Sequence, residues 1–319
     1  MGMCLNVIAM AHHSLDTSII QNRWDNSVPM RITVAPGDTV TLDMHDASDN
    51  QAQPGMSGAD FGKIDFTKIH ALTGPIGIEG AEPDDQVVVD ILEYQHKGYA
   101  WTSIIPGMGL LDDFVSEHFL FHWELEEGVT RSMPGVTLDL APFCGIIGVQ
   151  REEPGEFRTR PPGIFGGNMD VRHLTAGAKL HLPVLVPGAG LCAGDCHAAQ
   201  GDGEVSINGM EAPMQVTFKL GLIKNKPLVG PYLQAAGQLL PERYTQKPFH
   251  VFIESNEDPR SACKAAVSRS IEYIVGRIGV SPEQAYVLCS VVLDLKISQL
   301  VNQPLTTISA YLPEAIFND

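Results

Sequence analysis

Residues 34–44 read VAPGDTVTLDM, a Pro-Gly-Asp turn that runs straight into alternating apolar and polar positions. A strand has a side-chain period of two, so Val40, Leu42 and Met44 leave one side and Thr39, Thr41 and Asp43 the other. The same design returns at 81–92 (AEPDDQVVVDIL) and 174–185 (LTAGAKLHLPVL), where a Pro/Asp or Ala-Gly turn again precedes an alternating run. This is a recurring way of starting a hairpin and not a sequence repeat, because nothing else between the three stretches is periodic. With 31 glycines and 22 prolines punctuating short runs through the first two-thirds of the chain, the expectation is a β-sandwich or barrel.

From Pro248 the pattern changes. PFHVFIES reads as a strand, and Asp258 followed by Pro259 then gives an N-cap with proline in the first turn. Val267, Ile271, Ile274, Val275 and Ile278 follow at helical spacing until Gly279 ends the helix. Ser281 to Gln284 (SPEQ) is a capping box that opens a second, short, buried helix through Ala285, Leu288 and Val291. The tail after 293 reads as one or two further strands. The organisation expected is a β-sandwich body over 1–140, a second β portion over 141–245 and an α/β part over 246–319. Two irregular stretches, 46–66 and 150–170, are longer than ordinary connections and read as functional loops or subunit contacts.

A chain of 319 residues with 44% hydrophobic content buries an ample core without staples. Its formal charge of -17 excludes nucleic acid and anionic membranes as comfortable partners, and mildly disfavours an anionic substrate. A small neutral or cationic substrate is the easier case. No run approaches the roughly 20 apolar residues of a membrane span. The start, MGMCLNVIAMAHHSLD, lacks the basic and apolar regions of a signal peptide, so the expected location is the cytoplasm. The six cysteines (4, 144, 192, 196, 263, 289) show no disulfide framework and read as reduced thiols.

Chemistry concentrates at 191–216, LCAGDCHAAQGDGEVSINGMEAPMQV, which gathers Cys192, Asp195, Cys196, His197, Asp202, Glu204 and Glu211 around four glycines. Asp195 and His197 stand two apart, so an extended backbone sends both to one side. Turns at Gly203 and Gly209 would return Glu204 and Glu211 to it. Asp195, His197 and Glu204 suit zinc or a similar divalent ion with an open position for water and a spare carboxylate. Asp, Gly and His also crowd ordinary turns, and the two cysteines lack a second CxxC or HxxxH for a structural zinc site. Three weaker constellations accompany this one. Asp43, His45 and Asp46 close a strand ahead of a loop, where a capped turn needs the same residues. His70 precedes a rigid Thr-Gly-Pro turn. The stretch 165–174 (FGGNMDVRHL) offers Asn168 as an amide donor, Arg172 as a fixed cation and paired glycines whose N–H groups suit an oxyanion. Cys144 has no neighbouring base to make it a nucleophile, and His118 and His122 read as packing on a strand.

At these residues the chain resembles the acetamidase/formamidase family of amide hydrolases. The likeness is carried by Asp46–Gln51 (DASDNQ), 70–85 (HALTGPIGIEGAEPDD), 165–174 and 194–216, in the family's order, and by SPEQAYVLCSVVLDLKISQLVN near the end. It implies a jelly-roll-like β body, a smaller barrel portion, an α/β part, cytosolic homo-oligomers and hydrolysis of formamide, acetamide or a related small amide. It also implies a divalent metal, zinc foremost with calcium as a second ion. Placed by position, Asp46, His70, Asp195 and His197 are the expected metal ligands, Glu204 the base, and Asn168 or the Gly166 and Gly167 N–H groups the oxyanion donors. The rival expectations are a hydrolase of lactams or larger amides, and a non-catalytic β-sandwich that binds a metal or small ligand.

Overall fold

The computed structural model describes residues 10–318. Cys4 and the first residues, read above as a reduced thiol and a cytoplasmic start, lie outside the described residues.

Two sheets share one hydrophobic core. The first runs His12–Leu15, Thr39–Met44, Met214–Ile223, Gln86–His96, Lys179–Pro183 and Tyr232–Gln234, antiparallel throughout except for its first pair. All three turn-then-strand stretches therefore fall in this one sheet. Val40, Leu42 and Met44 are fully buried while Thr39, Thr41 and Asp43 are only partly so, as the alternation requires. Each buried apolar side chain contributes about 1.5–3 kcal/mol relative to exposure.

The second sheet runs Gly166–Asn168, Phe143–Gly148, Leu191–His197, Leu72–Ile78 and Ile32–Val34, with only the last pair parallel. Its central strands, Phe143–Gly148, Leu191–His197 and Leu72–Ile78, are buried at every position. Both of their faces are covered, and no alternation marks them. Neither sheet closes on itself, so the smaller barrel implied by the resemblance is an open sheet among the described residues. The hairpin Tyr99–Ile104/Phe119–Glu124 lies alongside and meets the late glycine-rich loop through reciprocal backbone bonds between Trp101 and Glu211.

The C-terminal part is a three-stranded antiparallel sheet with Thr306–Pro313 between Phe249–Asn256 and Asp294–Gln299. The helix Pro259–Ile278 is capped by the Asp258 carboxylate and ended by Gly279 in a left-handed conformation, φ +70°. The helix Pro282–Val292 opens with the full Ser281/Gln284 capping box. Among the described cysteines none is paired in a disulfide.

Candidate active site

The strand Leu191–His197 delivers Asp195 to the floor of a cavity of about 630 Å³ and sets His197 fully buried behind it. Asp195 sits in the left-handed region, φ +53°, between the register pairs Cys144↔Cys196 and Ile146↔Gly194. Gly145 on the neighbouring strand makes room for it. A Cβ there would lie 2.6 Å from Asp170 Oδ1 and 3.0 Å from Asp195 Oδ2, far inside contact distance. Bare backbone at Gly145 thus lets two carboxylates converge.

Around His197 the structure gathers four carboxylates. His197 Nε2 lies 3.1 Å from Glu211 Oε1 and 3.6 Å from Asp195 Oδ1. Two overlapping sets share this imidazole, Asp170–Asp195–His197 and His197–Glu204–Glu211, and within each the ligand atoms lie within 4.8 Å of one another. His70 Nε2 stands 4.0 Å from the free side of Asp195, at Oδ2, with its Nδ1 held by the Thr159 hydroxyl at 3.1 Å. Of the residues expected from sequence, Asp195, His197 and Glu204 come together here and His70 borders them.

The tautomer of His197 follows from its other nitrogen. Nδ1 meets Gln200 Oε1 at 2.7 Å, and Gln200 Nε2 donates to the Asp170 carbonyl at 3.1 Å, which fixes the amide with its oxygen toward the ring. Nδ1 therefore carries the proton, and Nε2 faces carboxylate oxygens with no hydrogen bond of acceptable geometry. Glu211 Oε2 and Asp170 Oδ1 are likewise buried without partners. Lone pairs facing lone pairs inside a protein require a positive charge between them, either a second proton on the imidazole or a divalent ion. The donor set fits a metal.

The ionisation of these groups says the same. Burial pushes the Asp170 carboxyl up to about 7, with the Asp195 charge adding to the rise and His197 opposing it. Burial likewise lifts Glu211 to about 8, and it raises Glu204 well above the usual carboxylate range with help from the Asp170 charge. At Asp195 burial acts upward too, but His70 and His197 outweigh it and hold this carboxyl low. Burial alone would lower the His197 imidazole, yet the Glu211 and Asp195 carboxylates raise it well above its ordinary value. Desolvation keeps His70 low, hence neutral.

Asp46 is not brought into the cluster. Its Oδ1 accepts from the Ser48 N–H (2.8 Å), the Ser48 hydroxyl (2.6 Å) and the Asn50 N–H (3.2 Å), so the carboxylate closes its own turn. Ala47, next in the chain, lines the cavity instead. Asn168 does line it, donating through Nδ2 to the Arg160 carbonyl at 3.0 Å. The Gly166 N–H is spent on the Gly163 carbonyl at 3.0 Å. Arg172 lies away from the cavity, paired with Asp294 in the interior. Cys192 is buried with its thiol pushed up to about 12, and Cys196 is also raised well above the ordinary range, by the adjoining Cys144 thiol first and by burial, so neither is a nucleophile.

Asp170, Glu211 and Asn208 were not assigned as site residues from sequence. Asp170 stands two residues beyond Asn168, where the glycine-rich strand ends with φ +48°. Asn208 lines the cavity with its Oδ1 taken by the Ser103 hydroxyl, leaving its amide hydrogens as donors.

The loop bearing Glu204 is fastened to the C-terminal part. Gly201 N–H donates to the Ser290 carbonyl (2.9 Å), Ser206 N–H to Ser290 Oγ (3.0 Å), and Ser290 Oγ to the Asn208 carbonyl (2.7 Å). Asp294 Oδ1, besides holding Arg172, accepts from the Asp202 N–H at 3.1 Å.

A β-sandwich whose cavity floor carries surplus carboxylates around one oriented imidazole is the equipment of a hydrolase. The chain belongs to the acetamidase/formamidase family, whose model matches residues 9–156 and 152–319. It is similar to the formamidase of Methylophilus methylotrophus, 29% identical over 93% of this chain and 89% of that one. It is also similar to the acetamidase of Mycolicibacterium smegmatis, 26% identical over 84% of each. Among solved structures, a gamma lactamase from Delftia acidovorans superposes with a TM-score of 0.89 at 25% identity, over 96% of this chain and 94% of that one. An acetamidase from Bacillus halodurans gives 0.67 at 29% identity, over 94% and 96%.

Proposed function

We propose that this protein hydrolyses a small aliphatic amide, formamide or acetamide in kind, to the carboxylate and ammonia. The observation that carries the reading is the buried, unpartnered His197 Nε2 directly behind carboxylates that line a cavity, in a chain whose relatives are named formamidase and acetamidase. Asp170, Asp195, His197 and Glu211 are the residues that would hold a divalent ion. Both candidate sets include an imidazole nitrogen, which favours zinc over calcium, an ion that prefers oxygen alone. Such an ion supplies Lewis acidity, polarising the carbonyl and acidifying a water.

The chain's own groups do the rest. An amide needs its oxygen polarised, a water deprotonated and a proton delivered to nitrogen. Glu204, raised first by burial and then by the acids around it, accepts the proton from the attacking water and returns it to the departing nitrogen. The amide hydrogens of Asn168 and Asn208 steady the developing oxyanion. His70, neutral, orients Asp195. The apolar wall of Phe61, Phe66, Trp101, Ile105 and Met108 excludes bulk water.

The test is ammonia release from formamide, acetamide and propionamide before and after chelation, with metal analysis of the purified protein. No release from any amide by metal-replete protein would overturn the reading. A second reading, hydrolysis of lactams or larger amides, is favoured by the cavity, whose 630 Å³ falls in the range of drug-sized ligand pockets, roughly 300–1,000 Å³. The higher TM-score of the gamma lactamase points the same way. Adding a bicyclic γ-lactam to the panel separates the two. Cytoplasmic residence and assembly into a homo-oligomer complete the proposal. The unpaired thiols accord with the first, and exposed Val251, Ile253 and Ile297 on the C-terminal sheet with the second.

A further inference from the structure

The chain has eleven arginines. Eight of them are ion-paired with a carboxylate, namely Arg31, Arg131, Arg151, Arg172, Arg243, Arg260, Arg269 and Arg277. The three without a carboxylate partner among the described residues are Arg23, Arg158 and Arg160, and all three line the candidate active-site cavity. In a chain of net charge -17, with 38 acidic residues, guanidinium groups are easily matched. Leaving three together unmatched is the exception.

Their placement is set by the fold. The short strands Arg23–Trp24 and Phe157–Arg158 pair antiparallel with Arg158 opposite Arg23, so two like charges face each other across a ladder, an arrangement that costs stability. Arg160 follows two residues later, beyond Thr159, which holds His70. Arg23 Nη1 donates to the Asn22 and Thr67 carbonyls at 2.6 and 3.1 Å, which ties its head to the cavity wall. Arg158 and Arg160 are exposed, and among the described residues their guanidinium groups make no hydrogen bond or ion pair. The cavity therefore carries buried carboxylates on its floor and exposed cations at its rim.

We infer that the preferred substrate is an amide whose far end carries a carboxylate, such as the monoamide of a short dicarboxylic acid, seated with its amide on the acidic floor and its carboxylate at Arg158 and Arg160. This deepens the proposed amide hydrolysis and rests on it. The charge axis orients the substrate, because the reversed pose would set its carboxylate against Asp170, Glu204 and Glu211. A guanidinium pair also accepts a carboxylate through paired parallel N–H bonds. Overall negative charge argued for a neutral substrate, but the field at this cavity mouth is set by local groups.

The experiment compares kcat/KM for succinamate, glutaramate and adipamate with that for 4-oxopentanamide, a neutral mimic of succinamate, and for acetamide, in the native protein and in R158Q/R160Q. The expected result is that one of the three anionic amides exceeds 4-oxopentanamide by about tenfold, mainly through KM. The advantage should shrink at high salt and fall to near unity in R158Q/R160Q. Equal or better use of the neutral amide by native protein overturns the inference while leaving amide hydrolysis standing. So does an equal loss on both amides in the variant, which would assign the arginines to folding or product release. If no amide is hydrolysed, the functional reading fails and the anion site is judged by succinate binding in calorimetry, where binding that R158Q/R160Q loses sustains it and no binding ends it.

Discussion

Two buried acids of this chain are treated in opposite ways. Asp46 is 1% exposed, and three donors of its own turn satisfy its Oδ1. Glu211, equally hidden at 1%, keeps one oxygen without any partner and shares its surroundings with three further carboxylates. Both have a pKa raised by burial. Burial therefore does not separate a structural acid from a functional one. Their company does: Asp46 stands among the donors of its own turn, whereas Glu211 keeps a buried unsatisfied oxygen among other acids, a cost to stability that a ligand or a proton recovers.

That contrast can be broken from several sides. The largest effect is expected at the floor. Glu204→Gln keeps shape but removes the base, and amide turnover should drop by about 10²–10⁴-fold with the fold intact by circular dichroism; near-native turnover would remove Glu204 from the chemistry. Glu211→Gln should lose bound metal by elemental analysis while raising the melting temperature of chelated protein at alkaline pH, because it deletes an uncompensated charge. Asp46→Ala should do the reverse, keeping metal content but destabilising by about 1–3 kcal/mol for each donor left unpaired, read from denaturant unfolding. If Asp46→Ala instead strips the metal, the distinction between the two acids collapses.

Smaller effects sharpen the same line. Gly145→Ala places a methyl group 2.6 Å from Asp170 Oδ1 and should cost about 1–3 kcal/mol together with metal affinity. For pH the sign follows from the folded values. Asp170 at about 7 and Glu211 at about 8 lie above their unfolded values, so their contribution is complete below the ordinary carboxylate range and is lost as pH rises through 7 to 8. Chelated protein should melt progressively lower from pH 6 to 9. Metal-loaded protein should lose less, because its ligands are already deprotonated.

How much of this was legible in the sequence depended on the range of the interaction. Helix limits at Asp258, Gly279 and Ser281 were readable because caps are settled within four residues. Half-exposed strands were readable because water on one face writes an alternation, and the three found that way share one sheet. The central strands of the other sheet, buried on both faces, write none. Among the partners of His197, Glu204 and Glu211 were foreshadowed by the glycine turns of their own loop, whereas Asp170 arrives through pairing of 143–148 with both 166–168 and 191–197, which no local pattern announces. Asp46, expected among the ligands, lies outside the cluster in its own turn, since Asx turns and metal loops draw on the same residues.

The fastening of residues 201–208 to Ser290 and Asp294 carries a consequence for evolution and for engineering. The last quarter of the chain supplies no group to the cavity wall, yet it acts as the foundation on which the Glu204 loop stands. Trimming the molecule back to its two large sheets would keep most of the visible pocket and sacrifice its aim. Changes in the terminal helix should tune turnover without ever touching the substrate.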